Sequence, residues 1–235
     1  MTTFKKITAE FRKHTNKSRA KTNAWFFKTG KGEYGEGDKF LGLTVPEQRK
    51  IAKKFAAVLG LKEIERLLRS PYHEYRLTAL FMLVLRYQKK LGAQKTIYQI
   101  FIRNAAYINN WDLVDSSAPY ILGDYLYRRD KKVLYRFAHA RNLWKKRIAM
   151  LATYGFIKNN EFEDALAIAK ILLADAHDLI HKAVGWMLRE IGNRNQQVEE
   201  AFLKKFCKKI PRTALRYALE KFPQQKREAY LKRNM

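Results

Sequence analysis

The chain has 235 residues, enough for a substantial hydrophobic core, and its 47% hydrophobic and 13% aromatic content excludes a disordered chain. Lys and Arg total 48 against 22 Asp and Glu, a formal net charge of +26, so a polyanionic partner is expected, nucleic acid ahead of an anionic membrane surface. No run approaches the roughly 18 apolar residues of a membrane span, the opening Met-Thr-Thr-Phe-Lys-Lys-Ile lacks a signal peptide's apolar stretch, and Cys207 is the only cysteine. A soluble, intracellular protein without an internal disulfide or a cysteine-based metal site is expected.

Residues 2–28 predict one or two amphipathic helices rich in Lys and Arg, ending on the aromatic cluster Trp25-Phe26-Phe27. Four glycines between Gly30 and Gly37 then forbid a helix. With no Gly-Lys-Ser/Thr ending and no preceding strand, this stretch is not a phosphate-cradling loop but a surface loop beside a binding groove. Pro46 suits the first turn of the next helix. Helical periodicity follows over 46–59, 61–69, 72–91, 94–107, 111–128, 131–140, 143–159, 161–173, 176–192, 196–208 and 212–221, with no convincing strand pattern. The chain is therefore all-α.

A weak internal repeat decides between a bundle and a solenoid. Tyr75-Arg76-Leu77-Thr78-Ala79-Leu80, Lys146-Arg147-Ile148-Ala149-Met150-Leu151, His181-Lys182-Ala183-Val184-Gly185-Trp186 and Leu215-Arg216-Tyr217-Ala218-Leu219 each set a basic residue before a run of small and apolar ones. Arg147 to Lys182 is 35 residues, Lys182 to Arg216 is 34, and Arg76 to Arg147 is 71, about two such periods. This spacing predicts one superhelical solenoid domain of HEAT-like helical repeats over residues 1–235, with a helical cap at about 1–28 and the glycine-rich loop at about 29–38. If Arg76, Arg147, Lys182 and Arg216 occupy equivalent places, they line a concave basic groove for a phosphate backbone; a merely solvated charged face is the alternative.

The member missing from the series should fall near 111–112, inside Asn109-Asn110-Trp111-Asp112-Leu113-Val114-Asp115. Asn109 or Asn110 can cap a helix here, and Trp111 and Asp115, four apart, share its face. The acids could be ordinary first-turn residues favoured by the helix dipole, with Trp111 in the core. A carboxylate where phosphates must approach, however, opposes binding and needs a compensating purpose. By pattern alone Trp186 and Trp144 read as core residues. His14, His73, His139, His177 and His181 show no metal spacing and read as surface or helix-end residues. Arg189-Glu190 could form an ion pair.

Trp111-Asp112-Leu113-Val114-Asp115, Asn142-Leu143-Trp144-Lys145-Lys146-Arg147 and Lys182-Ala183-Val184-Gly185-Trp186-Met187-Leu188-Arg189-Glu190 together resemble the AlkD family of DNA glycosylases, as does Phe40-Leu41-Gly42-Leu43-Thr44-Val45-Pro46-Glu47. The resemblance spans essentially the whole chain. It implies a bacterial, cytosolic enzyme acting on double-stranded DNA: removal of cationic N3- and N7-alkylated purines by a monomer that uses no cofactor, no metal and no membrane. It implies Asp115 as the catalytic aspartate, Trp111 and Trp186 as contacts to the lesion's backbone, and Arg147 as a phosphate ligand. Phe26 falls where related sequences carry a tyrosine, so the contact there would lack a hydroxyl. Lys146, Lys182, Arg76 and Arg216 complete the expected phosphate ligands. An alkylated base is already a good leaving group, so one ionised carboxylate facing the developing sugar cation, with aromatic faces beside it, would suffice. A non-catalytic HEAT-like nucleic-acid binder is the alternative, and a protein-interaction scaffold fits the charge poorly.

Overall fold

The computed structural model describes residues 2–90 and 94–232, and the chain divides into two compact units, Met1–Ser117 and Ala118–Met235. Leu91, the last residue of the helix expected over 72–91, lies outside the described residues, as does Met1 of the expected cap. Among the described residues there are helices and no strands, only one isolated bridge between Lys39 and Tyr72.

The first unit holds α1 (Thr3–Lys13), α2 (Lys17–Phe26), α3 (Val45–Phe55), α4 (Leu61–Leu68), α5 (His73–Gln88), α6 (Gln94–Arg103), a 3-10 turn at Ala105–Tyr107 and α7 (Trp111–Asp115). Its centre is α5, buried on nearly every face from His73 to Leu83, as a helix enclosed by neighbours must be. Ile51 and Phe55 of α3 and Ile64, Leu67 and Leu68 of α4 supply the surrounding core. The start of α3 carries a capping box: Thr44 accepts from the Glu47 amide while Glu47 accepts from the Thr44 amide. Glu74 of α5 fixes the segment before it, accepting the amides of Leu41, Gly42 and Leu43 at 2.9, 2.8 and 3.3 Å. One departure from expectation is α2, which buries no residue and so is not amphipathic.

The second unit holds a π-helical turn at Pro119–Gly123, α8 (Asp124–Leu126), α9 (Lys132–Ala138), α10 (Leu143–Ala152), α11 (Tyr154–Ile157), α12 (Glu163–Leu172), α13 (Asp178–Gly192), α14 (Gln196–Phe206), α15 (Arg212–Ala218), a 3-10 turn at Leu219–Lys221 and α16 (Gln224–Leu231). The expected continuous helix over 111–128 is thus broken. Pro119 has no N–H for the carbonyl four residues back, and the backbone resumes with wider π turns. Here α10 and α13 are the enclosed helices, packing on one another and on α9, α12, α14 and α15. The helices α5, α10, α13 and α15 carry the four members of the sequence repeat, and the architecture is that of an α-solenoid of helical repeats.

Candidate functional site

In the first unit Asn110 caps α7, accepting the Trp111 amide at 2.9 Å, and Leu113 and Val114 anchor the helix in the core. Trp111 and Asp115 are left half-buried. Behind Trp111 lies an aromatic stack that joins Phe27 of the expected aromatic cluster to Phe40 and His73. The Phe27 ring stacks on Trp111 at 5.4 Å between centroids, and Phe27, Phe40 and the His73 imidazole are in mutual contact at 4.7–5.2 Å. Phe26 meets the Trp111 edge at 6.0 Å and is itself 53% exposed, beside the still more exposed Trp25. A Cβ on Gly35 would lie 2.3 Å from the Phe27 carbonyl oxygen, so only glycine lets the loop close over this stack.

His73, expected at the surface or at a helix end, opens α5 but is buried. Its Nδ1 lies 3.1 Å from Asp38 Oδ2 and its Nε2 lies 2.8 Å from Asp112 Oδ2. Asp38 also accepts from Arg76 Nη2 at 2.7 Å and from Asn109 Nδ2 at 3.1 Å. Burial alone would lower the His73 pKa, but the Asp112 charge and the hydrogen bonds to Asp112 and Asp38 outweigh it and raise the pKa to about 9. Burial likewise pushes Asp38 up, and His73 and Arg76 reverse that, holding its carboxyl below the usual range. The two carboxylates sit on opposite ring nitrogens and do not converge on a common point. No group of three or more ligands able to hold a metal occurs among the described residues.

This geometry corrects two sequence expectations. Arg76 is not a phosphate ligand on a solvated stripe: it is 3% exposed, with Nη1 on the Ser70 carbonyl at 2.9 Å and Nη2 on Asp38. Nor is the glycine-rich segment only a surface loop, because its last residue, Asp38, is a buried member of this network.

In the second unit Asn142 caps α10 through the Lys145 amide at 3.0 Å. Arg147 is only 5% exposed and donates from Nη1 to the Leu179 carbonyl at 2.5 Å, tying α10 to the start of α13. Lys146 pairs with Asp175, whose carboxyl burial pushes up and Lys146 holds down, to a net value below the usual range. Lys182 pairs with Asp178 at 2.7 Å, and Arg216 is exposed. Trp186 is half-buried, its Nε1 donating to Glu190 Oε1 at 3.2 Å, while Trp144 is in the core as expected. Arg189 bonds Glu220 rather than its neighbour Glu190, which Arg194 takes. A Cβ on Gly185 would fall 2.3 Å from the Ala214 carbonyl oxygen, so the glycine beside Trp186 is what lets α13 and α15 touch. Of the remaining four histidines, His177 caps α13 through the Leu179 amide, and His181 Nε2 lies 2.5 Å from the Asp175 carbonyl oxygen.

A family model described as DNA alkylation repair enzyme matches residues 7–222, nearly the whole chain. The protein belongs to this family. Membership makes it a DNA alkylation repair protein and DNA its partner, in keeping with the excess of positive charge. Among solved structures, one described as "Predicted DNA alkylation repair enzyme from Enterococcus faecalis" superposes with a TM-score of 0.72, covering 90% of this chain and 98% of its own at 19% identity. At that identity the likeness shows the helical-repeat fold alone. No curated protein matches the chain. No helix among the described residues is long and apolar enough to cross a membrane.

Proposed function

We propose that this DNA alkylation repair protein is a DNA glycosylase that hydrolyses the N-glycosidic bond of cationic N3- or N7-alkylated purines in duplex DNA. The observation that carries the reading is the placement of Asp115, half-exposed and four residues from the half-exposed Trp111 on one face of α7. Asp112 is committed to structure, one oxygen on His73 and the other on the Leu113 amide at 2.9 Å. In the reaction the bond between the sugar C1′ and the base nitrogen breaks, and its electron pair neutralises the base. Positive charge develops on the deoxyribose, where the Asp115 carboxylate stabilises it. Water adds to C1′, its proton passing to Asp115 or to solvent, and the products are free base and an abasic site. A base that leaves as a neutral molecule needs no general acid.

Trp111, Trp186 and Phe26 are assigned to the sugar–phosphate backbone at the lesion, where aromatic faces favour the cationic sugar. Lys146, Lys182 and Arg216 are assigned to phosphates, whereas Arg147, buried with Nη1 on the Leu179 carbonyl, is assigned to holding α10 against α13. The exposed pair of Lys182 with Asp178 opens at little cost when a phosphate replaces the carboxylate. Asp115→Asn keeps the shape and removes the charge. In single-turnover assays on a duplex carrying one 7-methylguanine, excision should fall roughly tenfold to a thousandfold, the loss of about 1.4–4 kcal/mol of transition-state electrostatics. Binding to undamaged duplex should hold or tighten. If wild type binds DNA tightly and releases no base, the protein is a binder rather than a glycosylase; if Asp115→Asn excises normally, Asp115 is not the catalytic carboxylate.

A further inference from the structure

His73 has no part in the chemistry just described, yet it joins three segments around Trp111. Both of its ring nitrogens face carboxylate oxygens, at 3.1 Å and 2.8 Å. An ionised carboxylate only accepts, and a neutral imidazole has a single N–H, so a neutral ring would turn one lone pair toward an anion. Both acids accept from other donors as well: Arg76 and Asn109 on Asp38, the Leu113 amide on Asp112. The charge balance agrees. With His73 protonated the cluster holds two cations, His73 and Arg76, and two anions, Asp38 and Asp112; a neutral ring would leave excess negative charge out of water. Glu74, the next residue on the same helix, is occupied by the amides of Leu41, Gly42 and Leu43. Phe27 and Phe40 present uncharged ring faces at 4.7 Å, which suit a cation.

We infer that His73 is a buried imidazolium that positions Trp111, holding α7 through Asp112 and the glycine-rich loop through Asp38 while seating the Phe27 ring on which Trp111 stacks. It touches no DNA atom and is a positioning residue. Its effect on excision rests on the glycosylase reading, but its charge and its hold on Trp111 do not.

The test uses the full chain and three readouts. Nitrogen-detected NMR of the His73 ring should show both nitrogens protonated at neutral pH, with loss of a proton near pH 9; a neutral tautomer at neutral pH overturns the inference. The indole N–H resonance of Trp111, assigned by its loss in Trp111→Phe, should shift and broaden in His73→Gln, which can donate at one end only. It should return toward the wild-type position in His73→Arg, whose fixed cation can serve both acids. Excision should fall about tenfold to a hundredfold in His73→Gln, the scale of a small misplacement near the reacting centre, with duplex binding unchanged. Wild-type excision should decline as pH rises through about 9, while His73→Arg stays flat. An Arg variant no better than Gln in both the resonance and the rate overturns the inference. If His73→Gln does not fold, the wild-type ring titration and the Arg variant still decide. If wild type excises nothing, the glycosylase reading fails and the ring and indole signals still judge His73.

Discussion

At the scale of single residues, His73 and Glu199 show how burial divides titratable groups by whether a partner meets them. Glu199 is 2% exposed, with no hydrogen-bond partner for Oε1, and burial, reinforced by Glu200 and opposed by Arg189, pushes its pKa from 4.5 up to about 8. His73, met by two carboxylates, is raised from 6.5 to about 9. Both groups bind their proton more tightly folded than unfolded. The stability each contributes is therefore complete below its unfolded pKa and is lost as pH rises through the folded one: from about 4.5 to 8 for Glu199 and from 6.5 to about 9 for His73. Glu199→Gln should accordingly stabilise the protein at pH 8, on the order of 1–3 kcal/mol, with the advantage fading toward pH 4.5. Melting temperatures of both proteins across that range check this, and parallel curves would mean that Glu199 reaches water. Falling net charge should relieve self-repulsion as pH rises, so a Tm that drops between neutrality and pH 9 points to these two groups rather than to the basic surface.

At the scale of elements, the packed repeats depend on close approaches that tolerate no added atom. Gly185→Ala would drive its methyl into the Ala214 carbonyl and the Tyr217 Cβ, 2.6 Å away, and should cost about 1–3 kcal/mol by forcing α13 from α15. Denaturant titration measures it, and an unchanged midpoint would mean that α15 moves freely. The helices themselves were legible because periodicity reports which face is apolar, and the repeat was legible because Arg76, Arg147, Lys182 and Arg216 each precede an enclosed run. That Arg76 and Arg147 turn inward was not legible, because their partners Asp38 and Leu179 lie about one repeat away. Asp38 and His73 are 35 residues apart, His73 and Asp112 are 39, and Arg69 meets Asn104 across 35. A His or Arg with an acid or amide one period distant was the available signal for the network behind Trp111. Helix α16 escaped because Gln224-Gln225-Lys226-Arg227-Glu228 is polar and only Tyr230 is buried. The break after α7 escaped because apolar spacing scarcely changes when a π turn adds one residue, although Pro119 marked the place.

At the scale of the whole molecule, the positive charge is not confined to one part of the chain. The first unit has 23 basic and 10 acidic residues and the second 25 and 12, so each carries +13. Counterion release from DNA should then be fed by both units, and log affinity for undamaged duplex should fall linearly with log salt, by roughly a hundredfold to a thousandfold or more between about 50 and 200 mM. Single substitutions refine the prediction because the basic residues differ in burial. Arg216→Ala and Lys182→Ala, at exposed and half-exposed positions, should each weaken binding alike on every sequence and reduce the salt slope by about 1. Arg76→Met should leave the slope unchanged, because its guanidinium is spent on Asp38 and the Ser70 carbonyl, yet it should lower stability by about 3–5 kcal/mol by leaving a buried carboxylate and imidazolium out of balance. Fluorescence anisotropy on one duplex at four or more salt concentrations, with a melting curve for each variant, separates the two kinds of arginine. A slope lost in Arg76→Met at wild-type stability would return that residue to the DNA-binding surface.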